Sequence, residues 1–335
     1  MIWFTWRQFR TQTWITIAAL ATVGVFLVIF ARNIEDMYTA LNVAACQGDC
    51  TAVIDNFLSQ FQASNHTIYD LAQMMVYAVP ALIGAFWGAP LIARELDAGT
   101  HRLVWNQSVT RTRWLATKLV IVGGAAAVSA GLLSWAVTTS SNRIDDATGD
   151  RITPLFYGAR GIVPIGYAIF AFTLGVTLGM LIRRTVPAMA ATLAIYSFAA
   201  YSMQEWIREH LVSASHVINP LDISSPHTVT ISVGEANEMT VGVPDNLPDA
   251  WVLSNQTITD TGQVFSMPAD SQYCGLAASA QACDEWLGSL GLRHELIYHP
   301  ANHFWPLQWA ETGMLLAIAA LLAAFCFWWT RRHLT

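Results

Sequence analysis

Six long apolar runs constrain the fold of this chain more than any other feature. Each has about 20 residues, the length that a helix needs to cross the hydrocarbon core of a bilayer. Five contain no Asp, Glu, Lys, Arg or His, and the sixth carries one acid, Glu311, near its start. Such runs predict an all-α polytopic membrane protein with six transmembrane helices. We interpret these helices as a passive conduit without functional charge. The predicted spans are Trp14–Ala31, Leu71–Ala93, Leu119–Thr139, Gly161–Ile182, Val186–Met203 and Gln308–Trp329.

The charged residues lie mostly between the runs, and their distribution predicts an orientation. Only 12% of the residues are charged, about half of the roughly 25% typical of soluble domains. With the N-terminus inside, the inner segments carry 11 of the 17 Lys and Arg residues but two of the 23 acids. Basic residues accumulate on the cytoplasmic side of membrane proteins. We therefore expect a multi-pass protein of the cell membrane with both termini in the cytoplasm.

The segments between the runs differ greatly in length. Residues 1–13 combine aromatic and basic residues and suit an interfacial helix. The predicted inner segments are 94–118, 183–185 and the tail 330–335, and the outer ones are 32–70, 140–160 and 204–307. The apolar spacing of Val53 to Phe61 predicts a helix in the first outer segment. Alternation in 228–233 and 251–259, with turn signals at 243–246 and 261–262, predicts strands, so 204–307 is expected to be a mixed extracytoplasmic domain between the fifth and sixth spans.

Four of the five cysteines fall in the predicted outer segments, where the environment is oxidising. Proximity along the chain favours disulfides Cys46–Cys50 and Cys274–Cys283. A zinc site is the competing interpretation, although no CxxC pair or flanking His supports it.

Motifs for chemistry are few. The chain has a single lysine, Lys118, and Thr117 rather than Gly precedes it, so no phosphate-binding P-loop is present. His294, Glu295 and His299 resemble the zinc pattern HExxH with one residue too many, and on a helix the extra residue turns the second His away from the first. With His303 nearby, a surface metal site competes with the simpler interpretation of a loop returning to the membrane. We predict no catalytic residue, no metal and no cofactor in this chain.

Two GxxxG patterns, Gly84–Gly88 and Gly175–Gly179, lie in the second and fourth spans. Small residues at this spacing allow helices to approach closely. Packing within the chain and a dimer face are both compatible with them.

The inner segment 94–118 is the only one long enough to receive a cytoplasmic partner. We expect Arg94–Ala98 to continue the second span as a helix and Gly99 to end it. Thr100 would cap a short helix over His101–Gln107, and Thr112–Lys118 would lead into the third span. A solvated, positively charged connector is the alternative.

This segment resembles the first intracellular loop of ABC exporter permeases of the second type. Shared features are the acid at the helix end, a Gly-Thr, a short helix, a turn with Arg and a Lys before the third span; they correspond to Glu95, Gly99–Thr100, Ser108–Arg111 and Lys118. The form with Trp105, Gln107 and Arg113–Trp114 is similar to actinobacterial members of that family.

The resemblance implies the transmembrane subunit of an ATP-driven exporter, in which the loop is a coupling helix. Its partners would be two copies of a cytoplasmic ABC ATPase that holds the ATP and Mg, a second permease subunit in a homodimer or heterodimer, and membrane lipids, with no nucleic acid. The implied contacts to the ATPase are Arg94, Glu95, Asp97, Gly99, Thr100, Arg102, Trp105, Ser108, Arg111, Arg113 and Lys118. Spans without charge favour an amphipathic or lipid-like substrate. The alternatives are a membrane sensor or scaffold with a ligand-binding outer domain, and a membrane enzyme that uses the outer His cluster.

Overall fold

A computed structural model describes residues 2–99, 110–149, 151–221, 230–233, 238–242, 250–268, 274 and 280–333. Within these ranges, six helices are long and apolar enough to cross a membrane, which confirms the predicted number of spans. The chain divides into two compact units, Met1–Leu211 with Phe304–Thr335 and Val212–His303. We call the first the membrane unit and the second, after its predicted location, the outer unit.

The helices of the membrane unit extend beyond the apolar runs. They are α1 (Ile2–Ala40), α2 (Thr51–Ser64), α3 (His66–Ile83), α4 (Ala89–Asp97), α5 (Arg111–Thr148), α6 (Pro154–Tyr157), α7 (Val163–Ile182), α8 (Thr185–Ser202) and α10 (Phe304–Arg332). Helix α9 (Ala280–Ser289) belongs to the outer unit. A π-helical turn, Gly84–Gly88, joins α3 to α4. A second π-helical turn, Met203–Ile207, and a 3-10 turn, Arg208–His210, follow α8.

The N-terminal segment forms one element where the sequence predicted two. Residues 2–13 belong to the same helix as the first span, because no Gly or Pro interrupts the chain before Gly24. The third span similarly continues to Thr148 and ends at Gly149, which has a φ of 61°. Its end is therefore set by a left-handed glycine rather than by the end of the apolar run.

The helix predicted in the first outer segment is present as α2, which buries Phe57 and Phe61. These rings pack edge-on against Tyr38 and Tyr69, with centroids 5.5 Å apart in each pair. Cys46 is bonded to Cys50 just before α2, as their proximity predicted, and their Cα atoms are 5.9 Å apart.

Helix α7 is the centre of the membrane unit, and most of its residues are buried. The two GxxxG patterns explain how α3 and α4 approach it. A Cβ added to Gly84 would lie 2.6 Å from the carbonyl oxygen of Ala171. One added to Gly179 would collide with the backbone of Ala89, and one added to Gly175 would collide with the backbone of Gly84. Both patterns are therefore used for packing within the chain, so that the backbones of the second and fourth spans touch.

The described parts of the outer unit contain two antiparallel sheets of three strands each, in the orders β1-β6-β4 and β2-β3-β5. Their strands are β1 (Ser215–Pro220), β2 (Thr230–Val233), β3 (Glu238–Gly242), β4 (Trp251–Ile258), β5 (Ser266–Pro268) and β6 (Arg293–His299). Both predicted alternating segments contain a strand, β2 and β4. Gly262 lies in the predicted turn with a φ of 82°, whereas residues 243–246 lie outside the described ranges. Cys274 is bonded to Cys283 of α9, with Cα atoms 4.7 Å apart.

Candidate coupling site

The candidate site is the base of the predicted inner segment, where α4 ends and α5 begins, and we call it the coupling site after the role that the resemblance implies. Gly99 follows α4 with a φ of 67°, and its amide donates to the carbonyl of Leu96 at 3.3 Å. On the other side, the Thr110 hydroxyl accepts a hydrogen bond from the amide of Arg113 at 3.4 Å and so caps α5. The predicted end at Gly99 is confirmed, and a threonine cap satisfies one of the free amides of the new helix.

A buried ion pair connects the two sides of this base. The Lys118 ammonium lies 2.6 Å from Oε1 of Glu95, and the two side chains are 2% and 10% exposed. Lys118 also donates to the carbonyl of Leu91 at 3.3 Å and lies 4.8 Å from the centre of the Trp114 ring. Because a buried charge is very costly without its counter-charge, this pair holds the start of α5 against the end of the second span.

Other charged residues of the base face outward. Arg94, Asp97 and Arg113 are exposed, and Arg111 is half-buried. Glu95 therefore differs from its neighbours, because its carboxylate is engaged with Lys118 inside the unit. Of the residues implied to contact the ATPase, Thr100, Arg102, Trp105 and Ser108 lie outside the described residues, and their role stays a prediction.

A second buried ion pair lies at the opposite end of the spans. The Arg208 guanidinium donates to the Glu311 carboxylate through Nε at 2.9 Å and Nη2 at 3.1 Å, and both side chains are fully buried. The Tyr167 hydroxyl donates to the same carboxylate at 2.8 Å, and Nη1 of Arg208 donates to the carbonyl of Pro154 at 3.0 Å. We call these four residues the outer clamp. The ring of Tyr157 lies 4.7 Å from the guanidinium, and burial raises the pKa of its hydroxyl, so this phenol stays neutral beside the clamp.

The expectation of spans without charge is wrong at Glu311, which is buried in an ion pair. This acid lies two turns inside α10, and the fold turns it toward α7 and the end of the fifth span rather than toward solvent. The clamp joins these three spans, because Arg208 follows α8 and Glu311 is on α10. An intramembrane ionisable residue normally finds such a partner.

Gln308 connects α10 to α7 through its side-chain amide. Its Oε1 accepts from the amides of Ile162 and Val163 at 2.9 and 3.1 Å, and its Nε2 donates to the carbonyls of Tyr157 and Arg160 at 3.3 and 3.2 Å. One side chain thus satisfies free backbone groups at the N-terminus of α7.

The outer His pattern does not form the arrangement of a zinc protease. His294, Glu295 and His299 lie on strand β6, where successive side chains point to opposite faces. His294 contacts Asn255 at 2.6 Å, while Glu295 contacts His216 at 2.7 Å. His299 lies 3.1 Å from His303 between their Nδ1 atoms. Among the described residues, no group of three His, Cys, Asp or Glu side chains could hold a metal ion.

Neither ion pair was identified from the sequence. For Lys118 there was a signal, since the only lysine of the chain lies in the same inner segment as Glu95. For Arg208 the separation of about a hundred residues from Glu311 hides the contact, although a lone acid in an apolar run is itself a signal.

A protein-family model described as ABC-2 membrane transporter related matches residues 17–208. The match covers more than half of the chain, from α1 to the end of the fifth span, and includes the coupling site. No curated protein and no solved structure matches the chain significantly.

Proposed function

Since the chain belongs to the ABC-2 membrane transporter related family, we propose that it is the permease subunit of an ATP-driven exporter. It is a multi-pass membrane protein and the membrane subunit of a transporter. Membership of this family implies an ABC ATPase as its partner. We assign ATP binding and hydrolysis to that separate subunit, which holds the nucleotide and Mg.

The buried Glu95–Lys118 pair is the observation that carries this proposal. It joins the last turn of α4 to the second turn of α5, on either side of residues 100–109. A force applied to these ten residues by a partner reaches both the second and the third span, because the pair prevents the two helix ends from moving independently. A mere solvated connector needs no such anchor.

Two features extend the pair into a transmission path. The second span passes from α4 through the π-helical turn at Gly84–Gly88, whose backbone touches α7. Helix α7 in turn carries Tyr167, which donates to Glu311 of the outer clamp. Motion of the coupling site therefore has a continuous packed route to the opposite side of the membrane through the second, fourth and sixth spans.

The proposed orientation places the coupling site and both termini in the cytoplasm. The strongly basic balance of the predicted inner segments supports it. The two disulfides support it as well, because disulfides persist in an oxidising environment and this orientation places both of them outside the cytoplasm.

The proposed substrate is amphipathic or lipid-like, and the direction of transport is export. The nearly charge-free spans support this substrate class, since the buried charges of the outer clamp neutralise each other. The proposed complex contains two permease subunits, as a homodimer or heterodimer, and two ATPase subunits.

The proposal can be tested on the complex purified from its native membrane through an affinity tag on this chain. We expect an ATPase to co-purify, and we expect vesicles containing the complex to show Mg-dependent ATP hydrolysis stimulated by substrate. Trp105→Ala should reduce this stimulation by about tenfold or more, because the aromatic anchors of protein interfaces typically contribute about 2 kcal/mol or more. Trp135→Ala is the matched control, since Trp135 is 67% exposed on the third span. Normal coupling in the Trp105 variant would show that the loop does not transmit ATP-driven movement.

A further inference from the structure

A cleft between α1, α3 and α5 is lined by none of the residues of the coupling site or the outer clamp. Its volume is about 290 Å³, close to the lower limit of ligand pockets, about 300 Å³. Eleven of its 13 lining residues are apolar, and the two polar ones are Thr16 and Ser129. Phe86 and Trp87 of the π-helical turn form part of its wall.

A second, smaller cavity of about 70 Å³ lies beside the cleft. The two cavities share Val23, Met75 and Leu133, and the second one extends to Leu27. Along the axis of α1, the distance from Ile15 to Leu27 is about 18 Å at the helical rise of about 1.5 Å per residue. One leaflet contributes about half of the roughly 30 Å hydrocarbon core. We call the two neighbouring cavities together the groove, and its length is close to the thickness of one leaflet.

The position and lining of the groove restrict what can occupy it. Apolar cavities do not hold water, and α1 and α3 form membrane spans, so the occupant is hydrocarbon. A helix, about 10–12 Å wide with its side chains, is too thick for a cavity of this volume. A single extended acyl chain has the required length and thickness, and it restores the dispersion contacts that an empty groove would lose.

Charges at one end of the groove indicate the head group. Arg10 precedes Ile15 by five residues on α1, about 7.5 Å along the axis, and Arg94 follows Trp87 by seven residues, about 10 Å. Both arginine side chains are exposed, at the level where a lipid whose tail fills the groove would carry its head group. Arginines close to the membrane surface attract anionic lipids. We propose that this groove binds one acyl chain of an anionic membrane amphiphile, with its head group near Arg10 and Arg94.

Photolabelling in nanodiscs tests this site directly. The probes are phosphatidylglycerol and phosphatidylcholine with the same acyl chain, which carries a diazirine. We expect labelling to concentrate on the groove-lining residues of α1, α3 and α5, with about a fivefold preference for the anionic probe. Labelling distributed evenly around α1 would show ordinary boundary lipid and overturn the proposal.

Two neighbouring alanines of α1 provide matched variants. Ala19 lines the groove, whereas Ala21 is exposed and lies outside it. Ala19→Trp should fill the groove and reduce its labelling to background, and Ala21→Trp should leave the labelling unchanged. Equal labelling in both variants would refute the site, and so would an absence of lipid adducts from the groove residues of the unmodified protein, because a second copy that covers the groove would exclude the probe.

Arg10→Gln keeps the test decisive if the tryptophan variant does not fold. It changes an exposed side chain, and it should reduce the anionic preference while Arg94 retains part of it and tail labelling continues. An unchanged preference would contradict the proposed head-group contact. The labelling needs neither ATP nor an ATPase, so its failure would leave the proposed transport function untouched.

Discussion

Replacing Lys118 by Met tests whether the buried pair anchors the coupling site. Glu95 and Lys118 are 10% and 2% exposed, and their charged atoms are 2.6 Å apart. Met keeps most of the side-chain volume but removes the charge, and this leaves the Glu95 carboxylate buried without its counter-charge. Removing one partner of such a pair costs about 3–5 kcal/mol, and we expect this loss in the free energy of unfolding.

The assay is a denaturant titration of the purified protein, followed by circular dichroism. The control is Arg143→Met. Arg143 forms an ion pair with Glu35 at the same distance of 2.6 Å, but the two side chains are 42% and 44% exposed. Since solvent screens an exposed pair, we expect Arg143→Met to have little effect. Burial, rather than distance, then accounts for the difference between the two variants.

A double variant separates stability from coupling. Replacing a whole buried ion pair by apolar residues is often neutral or stabilising, so Glu95→Leu combined with Lys118→Met should recover most of the lost stability. An apolar contact lacks the directionality of the ion pair, and we therefore expect ATP-dependent transport to remain impaired. The reasoning is refuted if Lys118→Met alone costs less than about 0.5 kcal/mol, as a surface change does, or if the two single effects simply add.

Three further expectations concern packing, the outer clamp and the outer unit. Gly175→Ala should destabilise the protein by about 1–3 kcal/mol, because its Cβ would collide with the facing backbone; Gly124→Ala, which has open space beside it, should be neutral or stabilising by up to about 1 kcal/mol. Glu311→Gln should cost about 3–5 kcal/mol by leaving Arg208 buried and uncompensated. Cys274→Ser opens a loop of about ten residues and should cost about 3 kcal/mol.

The same titration measures all these variants. Equal denaturation midpoints for Gly175→Ala and Gly124→Ala would contradict the close approach of the second and fourth spans at Gly175. A Glu311→Gln protein as stable as wild type would mean that the clamp is solvated. For the disulfide, peptide mapping of the unmodified protein without reductant should first recover the Cys274 peptide linked to the Cys283 peptide. A different linkage would contradict the expected cost of Cys274→Ser.

The sequence predicts the spans because membrane insertion depends on local properties. A run of about 20 apolar residues must be helical in the bilayer, since each backbone group needs an internal partner. The end of α4 before Gly99 was predictable for a similar reason, because a left-handed glycine ends a helix locally. Helix α2 was predictable because its amphipathic repeat extends over only a few residues. The end of the third span at Gly149 was less predictable, since hydropathy ends ten residues earlier, at Thr139.

The polar contacts required the tertiary structure. Glu95 and Lys118 look like two ordinary charges of a basic loop until the ends of α4 and α5 are brought together. Glu311 looks like an acid at a membrane boundary until α10 turns it toward Arg208. In each case the pairing depends on the rotation of one helix against another, and apolar spans do not encode that rotation in their composition.

The six spans were thus determined by sequence alone, whereas their arrangement was decided by packing. Hydropathy establishes which residues enter the membrane, because transfer from water to lipid is a property of each residue. Lipid is as apolar as the side chains, so the arrangement of the helices depends instead on close contacts such as those of Gly84 and Gly179, and on buried polar pairs. These contacts join residues far apart in the chain, and only the folded protein shows that the spans connect the buried Glu95–Lys118 pair at one end to a charged clamp at the other.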